Sequence, residues 1–147
     1  WTPPGIAFPF IWLTITALRA TAAQMAYAGS LRNPALDALV LHLCIGDTWN
    51  CITNVERRLG VSAIGCFAVW GSVFRAVKAF GASAAPKAAY VLAPSLAWIS
   101  VACVLTASIW NLNNRPPIYP AEGDGDSADL RLKYLLQMEA TSIRGGK

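Results

Sequence analysis

Charge is what this sequence has least of. Of its 147 residues only 14% are Asp, Glu, Lys or Arg, and 55% are hydrophobic, with a mean hydropathy of +0.43. Soluble domains carry about 25% charge. A 15.7 kDa soluble domain this apolar would have more greasy surface than it could bury. The composition therefore excludes an ordinary soluble domain and points to a membrane protein. Chemistry-bearing groups are scarce as well. His42 is the single histidine, and the four cysteines (Cys44, Cys51, Cys66, Cys103) contain no C-x-x-C pair, so no zinc site is built. There is no Ser-His-Asp arrangement, no glycine-rich phosphate loop and no pair of carboxylates within one apolar segment. No metal site is read, no catalytic residue is assigned, and the chain is not read as an enzyme. Net charge is +4, but the basic residues are scattered with no run longer than Arg57-Arg58, which gives nucleic acid no footprint. All four cysteines lie inside apolar segments and read as buried small hydrophobes.

What the sequence has is length of apolar run. Four such segments stand out: Ile6 to Tyr27, Ala35 to Val55, Val61 to Phe80, and Ala88 to Asn111. Each is close to the roughly 20 residues that cross ~30 Å of hydrocarbon as a helix. Strands are excluded, because alternation is absent and alanine is too common for a lipid-facing barrel. The connections are short, with Pro34 and Pro86 placed as helix starts. Short loops make neighbouring helices antiparallel, so the fold class expected is an all-α membrane protein, an up-down bundle of four transmembrane helices over residues 1–113. After Asn113 the character changes. "NRPPIYP" is polyproline-like, "AEGDGDSAD" is acidic, and "LRLKYLLQMEA" has the pattern of a short amphipathic helix. Residues 114–147 are expected to form an extramembrane arm. Its apolar residues, Leu130, Leu132, Tyr134, Leu135, Leu136 and Met138, need cover from a membrane surface or another polypeptide, and docking on a partner is the reading preferred.

Tryptophans mark every segment: Trp12, Trp49, Trp70, and Trp98 with Trp110. Trp12, Trp98 and Trp110 lie close enough to segment ends to fit an aromatic belt. Trp49 and Trp70 sit further in, as residues packed between helices or lining a pocket do. Two motifs are specific in combination. "WTPPGIAFPFIW" resembles the W-x-P-P…W signature of the TspO/MBR family (translocator protein, peripheral-type benzodiazepine receptor, tryptophan-rich sensory protein). "APSLAWISVACVLTASIWNLN" resembles that family's last span, with Pro94, Trp98, Ala102, Leu105, Trp110, Leu112 and Asn113 on its recurring positions. Trp49, Trp70 and Phe80 fall on the tryptophans and phenylalanine of the spans between. The resemblance implies a TspO-type fold beginning at its second helix, with the family's first span missing from the protein, cleaved, or outside this sequence. It also implies that the W-x-P-P segment caps a pocket between the helices.

Several family positions differ here: Ile6, Thr16, Gly46, Ser95 and Thr106 replace aromatic or amide residues. The resemblance thus implies a kept scaffold and a rewritten pocket. Arg19 and Asp47 lie near the middles of the first two segments, where each costs ~2.5–3.5 kcal/mol if it faces lipid. They are expected to approach each other, either as an interhelical ion pair or as a polar floor that receives a carboxylate or carbonyl ligand. A third reading has one of them snorkelling to the interface. The ligand-binding residues expected are Trp1, Trp12, Arg19, Asp47, Trp49, Trp98, Ala102 and Trp110. His42 is either an ordinary packed histidine or an axial ligand for haem iron or chlorophyll magnesium.

Two functions of different class follow. One is a TspO-like membrane protein binding a flat apolar ligand, such as a tetrapyrrole (porphyrin, haem, chlorophyll) or a sterol, between its helices. The other is a structural accessory subunit of a larger photosynthetic or respiratory complex, with the bundle as a spacer or pigment and lipid holder. Partners expected are membrane lipids and either other membrane-protein subunits, reached through the arm, or a second copy of the chain. The location is a bacterial, thylakoid or mitochondrial membrane. Porphyrin breakdown, associated with some members, is implied by the resemblance alone.

Overall fold

The computed structural model describes residues 4–27 and 32–118. Four α-helices follow one another: α1 Ala7–Ala26, α2 Pro34–Asn50, α3 Leu59–Gly81 and α4 Lys87–Leu112. A π-helical turn, Cys51–Val55, continues α2 without a break. No strand occurs among the described residues. Each helix overlies one of the apolar segments read from the sequence, with ends shifted by a residue or two. α3 and α4 are long and apolar enough to cross a membrane. The α-helical part of α2 is too short at 17 residues, and α1 is diluted by Thr14, Thr16, Arg19, Thr21 and Gln24.

Local chemistry sets the helix ends. The Asn33 side chain accepts the Ala35 N–H at 3.0 Å, and Pro34, which has no N–H to satisfy, opens α2. The same Asn33 amide donates to the Ala26 carbonyl at 2.8 Å, which ties the end of α1 to the start of α2. Where α2 passes into the π turn, the Thr53 hydroxyl bonds both the Trp49 carbonyl and the Ser62 hydroxyl of α3. Arg57 then takes a left-handed conformation (φ 56°), which turns the chain into α3.

Side-chain bonds fix the helix directions pairwise. His42 and Trp49 of α2 meet Ser72 and Ser62 of α3, and Cys66 and Trp70 of α3 meet Cys103 and Ser100 of α4. Partner numbers fall as the helix's own numbers rise, so each of these pairs is antiparallel. α3 packs most extensively on α4 and then on α2, while α1 leans on α4 and touches α2 only lightly. Two apolar layers result. Near the ends of α1 and α3, small residues (Ala22, Ala26, Ala35, Ala38, Ala76, Ala88) bring the backbones close around Phe80 and Leu92. Further along, Trp49, Cys66, Val69, Val73, Ile99, Ala102 and Cys103 form the second layer.

The cysteines divide between two environments, which corrects the expectation that all four are buried. Cys66 and Cys103 are buried with their sulfurs 3.0 Å apart, whereas Cys44 and Cys51 face outward. In a helix with apolar residues on every side, composition does not distinguish the face turned to another helix from the outer face. Trp49 packs tightly against α3, and a Cβ placed on Gly65 would stand 3.3 Å from its Cδ1 atom. Gly65→Val is therefore expected to push the indole off the Ser62 carbonyl and cost about 1–3 kcal/mol. Thermal unfolding in detergent would show this as a lowered midpoint.

Candidate functional site

In the second layer the helices separate. α1 presents Trp12 and Thr16, and α2 presents Gly46 opposite them, so no large side chain fills the space between. A cavity of about 210 Å³ opens there, with Leu43, Trp49, Val69 and Ile99 as its apolar walls. Its polar lining is Thr16, Arg19, His42, Asp47 and Asn50. A Cβ on Gly46 would meet nothing within 4 Å, so the glycine itself is part of the opening. Two of the positions at which the sequence departs from the pattern of the family it resembles, Thr16 and Gly46, thus help to make this space.

One hydrogen-bond chain organises the polar wall. The Ser72 hydroxyl lies 2.7 Å from the Val69 carbonyl, which can only accept, so the hydroxyl donates there. Its oxygen is then free to accept the Nδ1–H of His42, at 2.9 Å. That leaves His42 Nε2 with a lone pair, which accepts from the Arg19 Nη2 at 2.9 Å. A guanidinium has donors only, so no other assignment satisfies all three contacts. His42 is therefore the neutral Nδ1–H tautomer, 1% exposed, with both ring nitrogens engaged. Of the two readings of His42, this bonding is that of a packed histidine.

Arg19 and Asp47 line the same cavity but do not form the expected ion pair. No hydrogen bond or ion pair within 4 Å joins them, and Arg19 takes His42 instead. Their axial offset was short enough for contact, but azimuth decides. Asp47 is five residues beyond His42, roughly 140° further round α2 at 100° per residue. It is exposed, while Arg19 is half-buried with a buried Nε that has no partner.

The other expected binding residues are dispersed. Trp12 and Trp49 line the cavity, and the Trp49 N–H bonds the Ser62 carbonyl at 2.9 Å. Trp98 faces α1 elsewhere, edge-on to Phe8 with ring centres 6.0 Å apart. Ala102 is buried in the second layer. Trp110 sits at the end of α4, where its N–H caps the Pro116 carbonyl at 2.9 Å. Trp70, expected to be packed or pocket-lining, instead stacks on Phe74 on the outer surface and donates to Ser100 of α4. Ser95 and Thr106 are buried in α4 outside the cavity lining. Trp1 and the arm beyond Ile118, with its amphipathic segment, lie outside the described residues. Sequence reasoning missed Leu43, Asn50, Val69, Ile99 and above all Ser72. The one available signal was spacing: Leu43, Gly46 and Asn50 follow at helical intervals on the face of α2 that also carries His42.

Among the described residues, no cluster of three or more metal-ligating side chains occurs. A shallower apolar groove of about 320 Å³ lies between α2 and α3, and Trp49 is the wall it shares with the cavity.

The model of the TspO/MBR family matches residues 1–111. Protein CrtK of Rhodobacter capsulatus is 26% identical, over 77% of this chain and 72% of its own length. No solved structure matches the chain.

Proposed function

Since the chain belongs to the TspO/MBR family, we propose that its four helices cross the membrane as an up-down bundle that binds a flat apolar ligand between them. The cavity between α1 and α2 carries this reading: it sets two indoles, Trp12 and Trp49, beside a few polar groups, the usual make-up of a small-molecule site. The membrane setting is supported by the hydroxyls on the outer faces. Thr14, Thr21, Thr48, Ser100 and Ser108 each bond the carbonyl four residues back, so none turns an unsatisfied group to lipid.

Volume limits how the ligand enters. Sites that enclose a drug-sized molecule run from about 300 to 1,000 Å³, and this cavity is smaller. A tetrapyrrole or sterol would therefore insert one edge, with the rest lying in the loosely packed seam between α1 and α2. No catalytic step is assigned.

Gly46→Leu tests the site cleanly. A Cβ at this position meets nothing within 4 Å, so the new side chain starts into open space, and helix propensity improves by roughly 0.5–1 kcal/mol. In lipid nanodiscs, a free-base porphyrin is expected to quench the tryptophan fluorescence of the parent chain and to lose that effect in Gly46→Leu, with stability kept. Equal quenching of both chains would place the ligand elsewhere.

A further inference from the structure

The polar wall of the cavity holds a cation that is positioned but makes no ion pair. Arg19 is tethered at one nitrogen by His42, and its Nε is buried without a partner. His42 is neutral, so it contributes no counter-charge. The carboxylate on the same cavity, Asp47, is exposed and makes no ion pair with Arg19 within 4 Å. A buried guanidinium donor with no acceptor is unfavourable, and the tether prevents the head from swinging away to find one. The remaining donors form a planar fork beside two indole walls.

We propose that the Arg19 guanidinium is an anchor for the carboxylate of a flat organic acid, and that His42 and Ser72 are positioning residues that present it. A planar carboxylate matches the guanidinium fork in shape and charge better than any neutral acceptor. The tether fits this role, because the Arg19–His42–Ser72–Val69 chain runs in one direction and ends on a backbone carbonyl of α3. Arg19, on α1, is thereby registered to the α2–α3 pair even though α1 and α2 pack lightly. Asp47 then acts as a selectivity element. It repels a second negative charge in the same cavity, so a monoanion whose acid group meets Arg19 is preferred over a molecule that carries two carboxylates.

This inference rests on the cavity-binding reading above, and its test separates the two. The probes are naphthalene-1-acetate and the matching neutral amide, naphthalene-1-acetamide. Binding is followed by equilibrium dialysis against the full chain in phosphatidylcholine nanodiscs, corrected for empty discs. The carboxylate should bind the parent chain more tightly than the amide. Arg19→Met should weaken carboxylate binding by about tenfold or more, the size expected of a charge-assisted hydrogen bond, and weaken amide binding far less. Asp47→Asn should strengthen carboxylate binding by a few-fold. His42→Leu keeps the cation but frees it, and should weaken carboxylate binding. His42→Gln, whose carbonyl can accept from Arg19 and whose amide can reach Ser72, should restore most of the loss. Carboxylate and amide binding equally, with Arg19→Met affecting both alike, would overturn the anchor while leaving the cavity-binding reading intact. Failure of both probes on the parent chain would also overturn it, and the porphyrin and Gly46→Leu measurement would then decide the broader reading by itself.

Discussion

Trp49→Ala is expected to destabilise the protein by about 3–5 kcal/mol, the range for removing a large buried aromatic side chain. The indole is 9% exposed and belongs to the layer formed with Cys66, Val69, Val73 and Ile99. It separates the cavity from the apolar groove on the far side, so its loss joins two spaces of about 210 and 320 Å³ into one. The surrounding helices cannot close over that volume, because α3 is held in register by α4 along its whole length. Trp49→Phe keeps most of the apolar area and gives up the bond to the Ser62 carbonyl, at a cost of about 1 kcal/mol. Denaturation in a mild detergent, followed by loss of helical circular dichroism, would give both values. A pair of variants within 1 kcal/mol of each other would mean that the indole is peripheral to the layer.

The contrast between Trp49 and Trp70 shows what the sequence reveals and where it stops. Helix positions were legible because each apolar run is bounded by turn and helix-start residues such as Asn33-Pro34 and Pro86, and α1 to α4 fall on those runs. Family membership was legible because the order of Trp, Pro and Asn positions survives over most of the chain. Helix faces were not. Trp49 and Trp70 both lie well inside their segments, yet one is buried between α2 and α3 and the other stacks on Phe74 at the surface. In water an amphipathic stripe would tell such residues apart, but a helix apolar on all sides carries no stripe.

The site was legible by half for the same reason. Arg19 and Asp47 were visible as costly charges, and both reach the cavity. Their partners were not visible, since one-dimensional spacing gives depth along a helix but not angle between helices. Ser72 had no signal at all. A serine in an apolar helix is ordinary, and its role appears only when the Val69 carbonyl fixes which way its hydrogen points.

That network yields the other large effect. His42→Leu is expected to cost about 2–4 kcal/mol, below the full figure for a stranded buried charge because Arg19 is half-buried. The substitution removes the acceptor from the guanidinium, and Asp47 makes no ion pair with it within 4 Å. Arg19→Met should cost less, about 1–3 kcal/mol, since it leaves only the neutral Nε2 lone pair of His42 unpaired. The double variant, Arg19→Met with His42→Leu, removes both ends of the bond together. Ser72 keeps its bond to the Val69 carbonyl, and no charge or lone pair is stranded. Its loss should therefore fall short of the sum of the two single losses by at least ~2 kcal/mol, the signature of residues that act as one unit. His42→Leu alone should be the least stable of the three. Strict additivity across this cycle would show that the 2.9 Å contact contributes nothing to the fold, and that Arg19 finds its acceptor elsewhere.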